Sequence, residues 1–290
     1  MSADMSDLPG RLVARFGQEG LRRIDTSGAA SPPGVSALLA EVGVPRQVGP
    51  YFVSDEGPVA LGEFRRSVGA TVPEDERARW PRIGSDRGAD LCVDGDGGVR
   101  AEYAGAEGPG PLVNRSLDAF LESLLALDEG LSSLASTESV PEQAELVRAL
   151  LRRLSVADPG PAEAADSWWL AVLQDVRHTM MQAAYAAFEV LDAEGLPQIL
   201  TSSGGLCLHP EERLWEELRA SGVKPGQVRK VYTELEACFL PGHYCSLWLA
   251  EVFPDAEFTH SFPYDGTAQE REEGFVALLR EAAARRASEG

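Results

Sequence analysis

The sequence predicts two domains, an α+β domain in the first half and an α/β domain, with helices packed on a sheet, in the second. Three observations carry that reading. The 290 residues suffice for two ordinary domains of roughly 100–200 residues each. A segment with an Asp-Pro-Gly-Pro run, SVADPGPAEAAD at 155–166, interrupts the periodic pattern near the middle. Beyond it the apolar spacing alternates as helix, two strands, helix, strand, helix, strand, helix, an order that implies a sheet covered by helices.

In the first half, 8–24 reads as an amphipathic helix carrying Leu12, Val13, Phe16, Leu21 and Ile24. The small-residue loop TSGAASPPG breaks it, and VSALLAEVGVP forms a second helix ending at Gly43 and Pro45. Short extended pieces are expected from Tyr51 to Ala70. LCVD, a GDGG turn and VRAEYA then form a hairpin, because Asp-Gly and Gly-Gly supply the positive φ of such turns. SLDAFLESLLALDEGL is a helix with Ser116 or Asn114 as its cap and Gly130 at its stop. These elements place the first domain at 8–130. Residues 131–165, with the helical stretch PEQAELVRALLRRL, read as a helical linker, and the second domain spans 166–290.

In that second domain SWWLAVLQDVRHTM is helical, and AAYAAFEVL, DAEG and LPQILTSS make a hairpin. HPEERLWEELRASG is a helix with Pro210 in its first turn and Gly222 at its end. VRKVYTELEA follows as a strand, CSLWLAEVF as a helix, AEFTHSFPY as a strand and AQEREEGFVALLREAAARRA as a closing helix.

Acidic residues outnumber basic ones 46 to 26, giving a net charge of −20, and the only lysines are Lys224 and Lys230. This balance argues against a protein that grips duplex nucleic acid by its phosphates, since such binding draws on a basic face. It suits solubility, or a basic protein partner met by an acidic surface. No stretch approaches the ~20 apolar residues of a membrane span. The start, MSADMSDLPGRL, has acids where a signal peptide has bases, and no apolar core follows. The expectation is a cytoplasmic protein with no membrane partner.

Four cysteines, Cys92, Cys207, Cys238 and Cys245, do not make a disulfide framework. Three of them lie within 207–245 together with His209 and His243, and that clustering points to metal or catalysis. His209, Pro210 and Glu211 open one helix, and Cys238 and Cys245 flank the next strand-to-helix turn. A catalytic zinc takes three nitrogen or thiolate ligands and leaves a fourth position for water. His209, Cys238 and Cys245 supply that set. Water on such an ion ionises near neutral pH and becomes a nucleophile for an amidine carbon. Glu211, two residues past the candidate ligand, can stand beside the ion and carry protons from water to departing ammonia. His209 and Cys245 each open a helix, where the positive end of the dipole favours thiolate over thiol.

Each residue also has a plainer reading. The two cysteines can serve as buried apolar fillers. Cys207, on the hairpin side of His209, reads as a core residue, His178 and His260 as structural, and Trp168, Trp169 and Trp248 as core. Tyr264 is a candidate for base stacking. His243 stays open as a turn residue, a substrate contact or an alternative ligand.

Residues 166–290 resemble the nucleic acid and nucleotide deaminases found as toxin domains in bacterial polymorphic toxin systems. The passages that carry this are the hairpin into SSGGLCLHPE, the strand VYTELEAC with LPGHYC, and THSFPYDG. The resemblance implies a cytidine-deaminase-like three-layer α/β fold, Zn2+ held by His209, Cys238 and Cys245, and Glu211 as proton shuttle. Two departures stand out. Ala237 occupies a position where proline is common, and six residues separate the cysteines where two are commonest.

Residues 8–130 resemble the SUKH superfamily, known chiefly as immunity proteins of bacterial toxin systems. WPRIGSDRGADLCVDGDGGVRAEY carries an Ile-Gly turn, a strand ending in Asp94 and a glycine turn, and LVNRSLDAFLESLLAL places Asn114-Arg-Ser before an amphipathic helix. The resemblance implies a binding module without catalytic residues, whose partner would be a basic toxin. Two functions follow as expectations. One is zinc-dependent hydrolytic deamination of a cytosine- or adenine-type base in a nucleotide or single-stranded nucleic acid. The other is neutralisation of a toxin, with the deaminase-like half inactive or auxiliary.

Overall fold

In the computed structural model, which describes residues 7–164 and 166–289, the chain divides into two units, Met1–Leu170 and Ala171–Gly290. Helix α1 (Leu8–Phe16) starts at Asp7, whose carboxylate accepts the Gly10 N–H at 3.0 Å. It stops at Gly17, where φ is 70°. Leu21, expected on the same helix, therefore lies in β1 (Leu21–Arg22), paired antiparallel with β2 (Val44–Pro45) across α2 (Pro33–Glu41).

An antiparallel meander follows in the order β3 (Gln47–Val48), β4 (Phe52–Val53), β5 (Arg82–Ser85), β6 (Asp90–Val93), β7 (Val99–Glu102) and β8 (Leu112–Asn114). The Ile-Gly pair read as a turn sits inside β5. A Cβ on Gly84 would stand 2.5 Å from the Val53 carbonyl oxygen, so glycine is what lets β4 and β5 approach there. The region 51–70, expected to be extended, also holds α3 (Leu61–Ser67). Its inner face buries a charge: Arg65 Nε reaches Asp90 at 3.0 Å and its Nη2 donates to the Glu102 carbonyl at 2.7 Å. A buried arginine at an inward position hides the helical period. The β6–β7 hairpin matches expectation, its turn closed by Asp94, which accepts the N–H groups of Asp96 and Gly98 at 3.0 and 2.9 Å.

Ser116 caps α4 (Leu117–Ala135), accepting the Ala119 N–H at 3.2 Å. The helix runs on past Gly130, where a Cβ would come within 3.2 Å of Leu150. That glycine admits a neighbouring helix and does not end its own. The neighbour is α5 (Val140–Ala157), which buries Leu150 and Leu154, and α6 (Pro159–Glu163) follows beside α5 and β8. Residues 131–165, expected as a linker, are thus part of the first unit. Asp158, 2% exposed, ties them in by accepting from Arg115 N and Nε, each at 2.6 Å. The boundary between units falls instead within α7 (Trp168–Met180).

The second unit follows the predicted element order. β9 (Tyr185–Leu191) and β10 (Pro197–Ser203) form an antiparallel hairpin, β11 (Val228–Leu235) pairs antiparallel with β9, and β12 (Glu257–Phe262) pairs parallel with β11. The sheet order is β10-β9-β11-β12. A parallel neighbour needs a crossover, and α9 (Cys245–Val252) provides it. α8 (Pro210–Ala220) links β10 to β11, and α10 (Ala268–Glu289) closes the unit. One core joins Phe188 and Val190 of β9, Val231 of β11, Leu214 and Leu218 of α8, Leu249 of α9, and Phe275 and Leu278 of α10. Both halves are mixed helix and sheet. Among the described residues no helix is long and apolar enough to cross a membrane.

Candidate metal centre

Two helix starts and one strand end meet at a single point. His209 is the N-cap of α8, its backbone extended at φ −74°, ψ 146°. Its own N–H donates to Glu212 Oε2 at 3.2 Å, while Pro210 occupies the first turn, where no donor is needed. Cys238 follows the end of β11. The chain then turns through Leu240–Tyr244, with Tyr244 in the left-handed region at φ 44°, and Cys245 opens α9. The Ser246 N–H and hydroxyl both donate to the Cys238 carbonyl, at 3.0 and 3.1 Å, which closes the loop and brings the two thiols together.

The imidazole Nδ1 of His209 lies 3.3 Å from Cys245 Sγ and 3.6 Å from Cys238 Sγ. These three ligand atoms fall within 4.8 Å of one another, and all three residues are buried. One imidazole nitrogen and two thiolates at that separation suit a tetrahedral ion with its fourth position left to water. The donor set fits zinc. Glu211, 4% exposed, places Oε1 3.7 Å from the same His209 Nδ1, beside the cluster. The four predicted site residues are thus brought together. His243 stacks on His209 with ring centroids 3.9 Å apart, its nitrogens 3.1 Å from Asp175 and 2.6 Å from Glu212, and Asp175, His209 and His243 form a second buried group able to hold a metal ion.

The three groups share their protons unequally. Burial opposes ionisation of Cys238, but a hydrogen bond from Cys245 and the His209 charge bring its pKa down to about 5. Burial likewise opposes protonation of His209, and the Cys238 thiolate and Asp175 outweigh it, raising the imidazole. The Cys245 thiol is pushed up by burial and by the neighbouring thiolate, so one negative charge sits in the pair. For Glu211 burial pushes upward, and the hydrogen bond and charge of His209 win, keeping the carboxylate ionised.

Sequence reasoning missed the residues behind the cluster. Asp175, fully buried on α7, lies 2.7 Å from His209 Nε2 through Oδ1 and 3.1 Å from His243 Nε2 through Oδ2. Glu212 Oε2 lies 2.6 Å from His243 Nδ1. The available signal was an acid on the buried face of a helix, three residues after Val172.

A pocket opens beside the thiols, lined by His209, Glu211 and Cys238 with Leu208, Thr233, Glu236, Tyr264 and Phe275. His178 and Tyr264, expected to be structural and base-stacking respectively, form part of this wall. Their Nδ1 and Oη atoms are 2.6 Å apart, and His178 stacks on Phe275 at 3.8 Å. Cys207 is half-buried in the turn before α8, its N–H donating to Thr179 Oγ1 at 3.0 Å, outside the thiol cluster. His260 is exposed on β12, Trp168 and Trp169 are core, and Trp248 packs half-buried against the core.

Comparison with known families divides the chain in the same way. The model of the SUKH-4 immunity proteins matches residues 8–175, and the model described as Xanthomonas-like deaminase matches residues 181–281. No curated protein and no solved structure gives a match.

Proposed function

Because the chain belongs to the SUKH-4 immunity protein family and carries a deaminase-family domain behind that match, we propose that its second half is a zinc-dependent hydrolytic deaminase acting on a nucleobase. The substrate class is a cytosine- or adenine-type base in a nucleotide or in single-stranded nucleic acid, and the fold is read as cytidine-deaminase-like. The convergence of His209, Cys238, Cys245 and Glu211 on one buried point is the observation that carries this reading.

Zinc held by His209, Cys238 and Cys245 would supply Lewis acidity and make a water ionisable near neutral pH. The residues of the chain supply the rest. Glu211, ionised and within reach of the cluster, accepts a proton as water adds to the amidine carbon. It then delivers that proton to the amino nitrogen as the carbon–nitrogen bond breaks and ammonia leaves. Leu208, Tyr264 and Phe275 offer apolar surface for a flat ring and exclude bulk water, while Thr233 and Glu236 present polar atoms to its edge.

The first half is read as a binding module in a bacterial toxin–immunity setting. A second reading of the whole chain rests on the length of the SUKH-4 match. The protein then neutralises a basic toxin through its acidic surface, and the deaminase half is inactive or auxiliary. Ammonia release from cytosine and adenine nucleosides, nucleotides and single-stranded oligonucleotides separates the two readings. Activity lost in Glu211→Ala supports the deaminase. Zinc-loaded protein without activity on any substrate favours the binder.

A further inference from the structure

From the buried chain Asp175–His209–His243–Glu212 we infer that Asp175 is the residue that positions the metal-binding imidazole, and that His243 and Glu212 hold Asp175 to that task. This rests on the zinc reading above and extends it to residues outside the ligand set. Asp175 also lies outside the segment 181–281 matched by the deaminase model, on helix α7 that precedes it.

The geometry leaves little freedom. An imidazole can present either nitrogen to a metal, and the hydrogen bond made by the other nitrogen decides which. Asp175 Oδ1, 2.7 Å from His209 Nε2, holds a proton there and turns Nδ1 towards the two sulfurs, where it would give its lone pair to a metal. A carboxylate behind a ligating histidine also raises the basicity of the ring and fixes its plane.

Asp175 is itself fully buried, and a lone carboxylate there would carry a large desolvation cost. His243 meets that cost from the second oxygen, at 3.1 Å, and lies parallel to the ligand ring, 8° apart at 3.9 Å. Its other nitrogen is anchored by Glu212 at 2.6 Å, and Glu212 returns to the backbone N–H of His209 at 3.2 Å. The loop therefore begins and ends on the same histidine. Rotating the His209 ring would break its contact with Asp175 and its stacking on His243.

The six-residue separation of the cysteines gains a role in this arrangement. The loop between them is long enough to carry His243 behind His209 while still delivering Cys245 to the thiol pair.

The test uses the full-length protein and reads zinc affinity by competition with a chelator, together with the visible spectrum after cobalt(II) loading. Asp175→Asn is expected to weaken zinc binding by about 10–100-fold and to alter the cobalt spectrum. His243→Gln is the second variant should the first fail to fold, and is expected to weaken binding by more than about threefold, in the same direction. Zinc affinity within twofold of wild type in whichever variants fold would overturn the inference and leave a merely structural role. Wild-type protein that binds no zinc would overturn both this inference and the proposed function. Wild-type protein that binds zinc but releases no ammonia would remove the proposed function alone, with the positioning role still read from affinity.

Discussion

The Ser246 N–H donates to the Cys238 carbonyl at 3.0 Å, so the two cysteines stand at the ends of one closed loop and not on independent elements. The chain between them turns back to make that closure. Gly242 at φ 86° and Tyr244 at φ 44° make the turn that allows it.

Gly242→Ala is therefore expected to strain the loop. A side chain held in the left-handed region costs roughly 1–2 kcal/mol. Urea unfolding of the zinc-free protein measures that loss directly. Zinc affinity should fall alongside it, because the loop carries one ligand at each end. Unchanged stability and affinity would mean that the loop relaxes freely.

His178 gives the second unit a dependence on pH. Burial first, and the adjacent Arg177 charge second, bring its pKa down from 6.5 to about 4. The native state thus holds it neutral where the unfolded chain protonates it. The stabilisation is fully present above about pH 6.5 and is lost as pH falls towards 4, amounting to roughly 3 kcal/mol at most. Denaturant midpoints measured at pH 7 and pH 5 should differ more in the wild type than in His178→Phe, which retains a ring to stack on Phe275. Equal differences in both proteins would count against this.

Much of the second unit was legible because its core is built from regular periods. Phe188 and Val190 alternate along β9, and Leu214 and Leu218 repeat at helical spacing on α8. The four site residues could be named for the same reason, since each stands at an element boundary that the sequence marks. The miss was Asp175, whose partner His209 is distant in sequence, so that only folding reveals the pair. In the first unit the difficulties were local. Arg65 put a charge where the helical pattern of α3 needed an apolar residue, and Gly130 looked like a helix stop because its actual role, admitting Leu150, is a tertiary contact.

Asp158 tests whether residues 131–165 belong to the first unit. Its carboxylate accepts two bonds from Arg115 and lies 3.4 Å from Asn114 Nδ2, all behind a 2% exposed position. Asp158→Ala leaves the buried Asn114 amide without this partner and is expected to cost about 2–4 kcal/mol. Thermal unfolding followed by tryptophan fluorescence reads it, since Trp169 Nε1 donates to the Asn114 Oδ1 at 2.9 Å. A loss below about 0.5 kcal/mol would restore the view of this segment as a linker.

Phe188 is fully buried in the second core, edge-on to Phe253 at 5.6 Å. Phe188→Ala should cost about 3–5 kcal/mol. Zinc would recover part of that loss, because a ligand bound only by the folded state stabilises it. Melting temperatures with and without excess zinc should separate by a margin that Cys238→Ser abolishes.

The most direct test is the zinc content of the purified chain, measured with ammonia release for the wild type, Glu211→Ala and Cys238→Ser. The account predicts about one zinc per chain in the wild type and in Glu211→Ala, none in Cys238→Ser, and activity only in the wild type. Folded wild-type protein that takes up no zinc would contradict it.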